Sequence, residues 1–387
     1  MKIAIVCDVL GKENNGTTIA AMNLIRSLKA KGHKVRVICP DGQIPLTLCP
    51  DGEKKDLPDY YIVRTYNLGP LNNYVRKNGV VLAKADKSII YQAINDVDLV
   101  HLMTPFSLGK ATAKMAKKLN KPLTAGFHCQ AENFTNHIFM MNNRLANYIT
   151  YKHFYKKVYR YSDSIHYPSK FIKDEFEKIV GKTTAYVISN GVNKEFKKKE
   201  VNRPEAWKDK YLILFTGRYS KEKSHSVLID AVSKSKYRDK IQLIFAGAGP
   251  LKEKLEKHSK KLTLKPIFNF FSRQELIDLI NCSDLYVHPA EIEIEAISCL
   301  EAISCGLVPI ISDSSRSATR NFAICAENLF KCNDTDDLSE KIDYWLSHPE
   351  EKQICSKAYL NYKQKFDHDL CMDEMEKMFL RTLEMKR

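Results

Sequence analysis

Two glutamates close the segment Glu293-Ile294-Glu295-Ala296-Ile297-Ser298-Cys299-Leu300-Glu301. Glu301 stands in an apolar run with Ile297, Leu300, Ala302 and Ile303, where a charged group is costly unless something binds it. Ribose hydroxyls are suitable donors to such a carboxylate. Glu293 falls in the loop ahead of the helix, where its oxygens could accept from sugar hydroxyls. A helix start decorated with acids because its dipole favours them accounts for Glu291 to Glu295 but leaves Glu301 unexplained.

A second constellation is Phe215-Thr216-Gly217-Arg218-Tyr219-Ser220-Lys221-Glu222-Lys223, where a strand ends and a helix from Val227 to Val232 soon begins. Arg218 and Lys223 put two cations at a helix entrance, an arrangement that stabilises the charge developing on a leaving diphosphate. A solvated turn reads equally well in so basic a chain. In Ile244-Phe245-Ala246-Gly247-Ala248-Gly249-Pro250 a buried strand enters a Gly-x-Gly turn. Gly247 and Gly249 allow close backbone approach to a ligand, and Pro250 suits a first helical position. A purely structural turn is the commoner meaning of a lone Gly-x-Gly. His128 ends the run Leu123 to Phe127, and His288 precedes the acidic loop, where a packed strand-end residue is the simpler reading.

The elements that must position these residues follow from alternation. Apolar runs at Lys2 to Asp8, Val35 to Pro40, Leu99 to Met103, Pro122 to His128, Ser164 to Ser169 and Ala185 to Asn190 are separated by amphipathic segments such as Thr17 to Lys31, ended by Gly32. Strands alternating with helices predict a parallel sheet. The polar stretch Lys194 to Lys210 interrupts the pattern, which restarts at Tyr211 to Gly217, Ile241 to Gly249, Ile267 to Phe271, Leu285 to Ala290 and Val308 to Ser312. The fold class expected is α/β, with two doubly wound, Rossmann-like domains: residues 1–195, a linker at 196–210, and residues 211–365, followed by a C-terminal helix at 366–387. Ligands of open α/β sheets bind beyond strand C-termini, so a site between the two domains is predicted.

Composition narrows the function. With 387 residues, 44% hydrophobic and 10% aromatic, the chain has ordinary globular proportions. No apolar run reaches membrane-spanning length, and Met1 to Asp8 reads as a strand rather than a signal peptide. Eleven cysteines without a Cys-x-x-Cys pair fit reduced thiols in a cytoplasmic protein, and no metal-ligand spacing stands out. The net charge is +15. Residues 1–200 hold 32 Lys and Arg against 17 Asp and Glu, and the remainder is balanced at 29 each, so the first half carries the excess.

The motifs together resemble the GT-B glycosyltransferases of family four (glycosyl transferases group 1), the retaining group that includes glycogen synthase-like and lipid-glucosylating enzymes. The likeness lies in Gly217-Arg218 with Lys223, Gly247-Ala248-Gly249-Pro250, and Glu293 to Glu301 followed by Ala302 and Cys305-Gly306. It implies transfer of a sugar from a nucleotide sugar, with uridine diphosphate the expected carrier, to a hydroxyl acceptor without a metal or other cofactor. Arg218 and Lys223 would bind the diphosphate, Glu301 the ribose and Glu293 the sugar. His128 resembles the family's histidine beside the donor sugar, Gly16 would admit substrate, and Asn190-Gly191-Val192-Asn193 would mark the passage between domains. The helix Leu370 to Leu383 would cross back to the first domain. Two departures stand out: Ile294, Glu295 and Ala296 replace the usual glycine and aromatic, and the loop Val9 to Thr18 has one glycine at the helix start where the family often has two.

For the acceptor, Arg144, Tyr148, Lys152, Lys156 and Arg160 recur every four residues on an expected helix, with Tyr151, Phe154, Tyr155 and Tyr159 between them. A basic, aromatic helix suits the anionic inner face of a membrane, and a solvated helix face is the competing explanation. The acceptor is then a membrane lipid or a cell-surface glycan precursor. A nucleotide-sugar epimerase or hydrolase of the same fold, or a basic anion-binding protein, are the alternatives. No nucleic-acid motif accompanies the basic half.

Overall fold

The computed structural model describes residues 1–10, 16–41, 59–67, 69, 83–136 and 140–386. The chain divides into two units, Met1–Asn190 with Asp369–Arg387, and Gly191–His368.

In the first unit the order is β1 Lys2–Val6, α1 Gly16–Ala30, β2 Lys34–Pro40, β3 Tyr60–Val63, α2 Lys87–Ile94, β4 Leu99–Leu102, α3 Ser107–Lys118, β5 Leu123–Gly126, α4 Ala131–Asn136, α5 Arg144–Lys157, β6 Ser164–Tyr167, α6 Lys170–Val180 and β7 Ala185–Val187. The strands form one parallel sheet in the order β3-β2-β1-β4-β5-β6-β7. Its central strands are near-continuous apolar runs because helices cover both faces; Ile3 to Val6 and Leu99 to Leu102 are fully enclosed. Gly32, at φ +80°, ends the first helix as expected. The edge strand β3 was not expected: it is a short apolar run with no alternation to mark it.

The second unit comprises β8 Tyr211–Thr216, α7 His225–Lys234, β9 Ile241–Ala246, α8 Lys252–His258, β10 Ile267–Asn269, α9 Arg273–Cys282, β11 Leu285–His288, α10 Ile297–Ser304, β12 Pro309–Ser312, β13 Leu329–Phe330, α11 Thr335–Ser347 and α12 Pro349–Tyr362. Its sheet, again parallel, has the order β10-β9-β8-β11-β12-β13. Order reverses between β8 and β11, which places the loops after those two strands at the switch point where open sheets bind ligands. The stretch 196–210 belongs to this unit: Phe196 is buried in its core, and Val201 and Trp207 pack against it.

The last helix, α13 His368–Glu384, supplies Cys371, Met372, Met375, Met378 and Phe379 to the core formed by Ile3, Ile5, Leu24, Ile25 and Val37. Lys31 pairs with both Asp373 and Glu376, and His33 meets Glu376 at 2.7 Å. The C-terminal helix therefore completes the first unit. Among the described residues no helix is long and apolar enough to cross a membrane.

Candidate active site

The loop after β8 and the loop after β11 bring the second unit's charged residues together. From β8 the chain turns through Gly217 and Arg218 into a short 3-10 turn, Lys221–Lys223, with Ser224 in the left-handed region at φ +51° before α7 opens. The Lys223 ammonium contacts Glu293 Oε1 closely. The same oxygen accepts from His288 Nε2 at 3.0 Å, which leaves His288 Nδ1 to accept from the Tyr286 hydroxyl at 3.2 Å. Burial alone pushes the Glu293 carboxyl up, but Lys223 and His288 outweigh it and hold the group at about 2. Burial holds His288 below the ordinary histidine range, against the pull of Glu293. Glu293 is thus an enclosed carboxylate anchored on both sides.

Arg218 donates to Glu222 Oε1 at 3.2 Å, and the Ser220 hydroxyl donates to the same oxygen at 2.5 Å. Burial opposes ionisation of Glu222, yet Arg218 and Lys223 keep its carboxyl below the ordinary value. Glu291 is held by Arg316 at 2.5 Å and Asn333 at 3.0 Å. Glu222, Glu291 and Arg316 were not singled out from the sequence. Glu222 sits between two lysines, where a solvated turn is the natural reading, and Arg316 lies 25 positions from its partner.

Glu301 is different. It lies on α10, half-buried, and among the described residues no hydrogen-bond donor reaches its carboxylate. Burial pushes it up to about 8, with Arg273 only partly opposing. The helix is preceded by Ala296 at its N-cap, a non-glycine residue at φ +64°, a strained left-handed backbone that a glycine would adopt freely. It ends at Gly306, φ +76°, where any side chain would crowd Leu360 and Ser356.

The two glycines after β9 serve the protein's own backbone. A Cβ at Gly247 would lie 2.1 Å from the Gly217 carbonyl oxygen, and one at Gly249 would lie 2.6 Å from both Tyr219 N and O. The loops are joined there by Tyr219 N donating to Ala248 O at 3.0 Å and Leu251 N donating to Tyr219 O at 3.1 Å. Pro250 occupies the turn and not the first helical position, because α8 starts at Lys252. Among the described residues no group of three or more His, Cys, Asp or Glu could hold a metal ion.

In the first unit His128 follows β5, half-exposed, with its backbone oxygen accepting from Thr17 Oγ1 at 3.3 Å. Gly16 is exposed at the first position of α1, with open space where a side chain would go; residues 11–15 of the expected loop lie outside the described residues. The basic helix forms, but its face differs from the expectation. Tyr151, Phe154 and Tyr159 are buried, stacking with Phe127 and Phe176 or Phe106, and therefore serve the core. The exposed residues are Leu145, Tyr148 and Ile149, at 66%, 46% and 57%, beside Arg144, Lys152 and Lys156; Lys152 sits over the Tyr148 ring at 5.6 Å. Arg160 lies beyond the helix end, in the turn Tyr159–Tyr161, its guanidinium over the Tyr161 ring.

Family comparison accounts for both units. Residues 14–196 match the family described as Glycosyltransferase Family 4, and residues 196–361 match Glycosyl transferases group 1. The chain is a GT-B glycosyltransferase of the family-four type. It is 26% identical over 341 residues to an alpha-monoglucosyldiacylglycerol synthase of Acholeplasma laidlawii, covering 80% of each chain. It is 25% identical over 383 residues to a GDP-mannose-dependent alpha-mannosyltransferase of Corynebacterium glutamicum, covering 96% of this chain and 87% of that one. The Anabaena protein HepE, solved with UDP and glucose, shares the fold at a TM-score of 0.77 and 14% identity, over 98% of this chain and 100% of that one. The glycosyltransferase moves a sugar from a nucleotide-diphosphate sugar to an acceptor.

Proposed function

We propose that the donor is a uridine diphosphate sugar, that transfer retains the anomeric configuration, and that the acceptor is a hydroxyl of a membrane lipid or cell-surface glycan precursor met at an anionic membrane face. Glu301 carries this reading: a half-buried carboxylate with no donor among the described residues is suited to the paired hydroxyls of a ribose. Arg218 and Lys223 hold the diphosphate and stabilise the charge that builds on it as the sugar bond breaks. Glu293 holds the sugar, and His128 accepts or donates at one of its hydroxyls. Gly217, Gly247, Gly249 and Pro250 keep the donor loops in place, and Gly16 leaves room for substrate. Because Lys223 pairs with Glu293, a phosphate that draws Lys223 away also frees Glu293 for the sugar, so the two halves of the donor bind cooperatively.

The lipid acceptor is favoured by the exposed apolar and basic face of α5, where Leu145 and Ile149 stand among Arg144, Lys152 and Lys156, and by the name of the Acholeplasma relative. The test has two stages. Thermal stabilisation is measured with uridine, guanosine and adenosine diphosphates and their sugars, for the wild type and Glu301→Ala. Transfer from the stabilising donor is then measured into vesicles of neutral or anionic lipid, each with and without diacylglycerol. Stabilisation by uridine compounds that disappears in the variant, with faster transfer on anionic vesicles, is expected. Stabilisation by guanosine compounds instead, or equal stabilisation of the variant, overturns the donor assignment; equal rates on both vesicle types overturn the membrane face.

A further inference from the structure

Three histidines share one region of the first unit. His101 is on β4, His166 on β6, and His128 just past β5. His101 lies opposite Thr124 and His166 opposite Gly126; Thr124 and Gly126 are two apart on β5, so all four face the same side of the sheet. The His128 and His166 rings are 5.5 Å apart, edge to face. The position that a methyl group on Gly126 would take lies 2.5 Å from His128 Nε2 and 3.5 Å from His101 Nε2, so both nitrogens lie close over Gly126. His101 Nε2, His128 Nε2 and His166 Nδ1 are each enclosed, and among the described residues none has a hydrogen-bond partner.

The remaining bonds fix the tautomer of His166 and bear on that of His101. His166 Nε2 meets the Ile188 carbonyl oxygen at 2.7 Å, and a carbonyl only accepts, so Nε2 carries the proton and Nδ1 is a bare acceptor. Thr124 Oγ1 lies 2.8 Å from His101 Nδ1 and 3.4 Å from Val100 O; the arrangement that satisfies both contacts has the hydroxyl donating to Val100 O and the ring donating to Thr124, which leaves His101 Nε2 bare. Burial keeps all three rings neutral: His101 is pushed down to about 3, His166 to about 4, and His128 well below its ordinary value. Two ring acceptors therefore lie near His128, and enclosed acceptors without partners are rare in folded proteins.

We propose that one buried water donates its two hydrogens to His101 Nε2 and His166 Nδ1, leaving only lone pairs for His128, which is thereby locked with its proton on Nε2 and a bare Nδ1 on its more open side. His101 and His166 are then positioning residues. They make His128 an acceptor for a substrate hydroxyl, which rests on the reading that His128 lies beside the transferred sugar.

The test is long-range proton–nitrogen correlation of imidazole rings in protein labelled with ¹⁵N-histidine, with the His128 signals assigned from His128→Gln. The wild type is expected to show His128 protonated on Nε2. His101→Phe removes one acceptor and releases the lock, with kcat falling roughly five- to tenfold, about the worth of one hydrogen bond, and KM for the nucleotide sugar nearly unchanged. His101→Gln supplies an amide oxygen and retains the tautomer and most of kcat. Gly126→Ala, whose methyl group would stand 2.5 Å from His128 Nε2 and 3.5 Å from His101 Nε2, crowds the water's place and the His128 ring together and gives the same release as His101→Phe. A wild-type His128 protonated on Nδ1, or a tautomer unmoved in both His101→Phe and Gly126→Ala, overturns the proposal. If the tautomers behave as expected while His128→Gln transfers sugar at the wild-type rate, the lock stands and the placement of His128 beside the sugar is the part that fails.

Discussion

Replacing Glu301 by Gln tests the donor site through the stability of the protein without any ligand. The carboxyl is raised to about 8 from an ordinary 4.5, chiefly by burial. Between those two values the folded chain holds a proton that the unfolded chain releases, so stability is full below 4.5 and falls as pH rises through 8. The whole shift corresponds to at most about 5 kcal/mol at 1.36 kcal/mol per unit. Water reaches the half-buried side chain, which brings the expected loss to ~1–2 kcal/mol. Protonated Glu and Gln are nearly the same shape, so Glu301→Gln matches the wild type at pH 5 and exceeds it at pH 9 by that amount, or roughly 2–6 °C in melting temperature. Urea titrations of both proteins at the two pH values provide the measurement. A nucleotide diphosphate should reverse the order: it binds the charged carboxylate, so its stabilisation of the wild type grows from pH 6 to pH 9 and is weak in the variant at both. A constant difference between the two proteins across pH would refute the reasoning, because it would mean that Glu301 does not titrate in this range.

His225 offers a complementary case. It is enclosed by Phe215, Tyr219 and Phe245, both its ring nitrogens lack partners among the described residues, and burial pushes it down to about 3. Its contribution is present above pH 6.5 and is lost as pH falls toward 3, so His225→Phe should unfold less readily in acid, gaining ~2 kcal/mol on the wild type between pH 7 and pH 5 by denaturant titration. Gly249→Ala places a methyl group against the Tyr219 backbone, and a loss of about 1–3 kcal/mol is expected in the same assay, accompanied by weaker nucleotide stabilisation because the 217–219 turn is displaced.

Much of the fold could be read from the sequence because parallel strands buried on both faces must be apolar throughout, as Lys2 to Val6 and Tyr211 to Thr216 are. The edge strands β3 and β13, four and two residues long, leave no such trace. Glu301 was legible for the same reason that makes it costly, a charge in an apolar run. The neighbouring readings depended on direction. A repeat of four fixed one face of α5, but Tyr151 and Phe154 lie on its opposite side and belong to the core. Gly247 and Gly249 were legible as places of close approach, although the approaching group was not: it is the turn at Gly217 and Tyr219. The histidine cluster depends on the register of three strands spread over 66 positions, which composition and spacing along one strand do not reveal.

The return of α13 has a consequence for biogenesis. The core of the first unit needs Met375, Met378 and Phe379 against Ile3, Ile5 and Ile25, so that unit cannot finish folding until α13, made after the whole second unit, has left the ribosome. The second unit, continuous from Gly191 to His368, is complete earlier. Synthesis therefore leaves an open apolar sheet face on the nascent first unit throughout the time its companion is being made, and a stop codon at the start of α13 yields a chain with an intact second unit and an unfinished first.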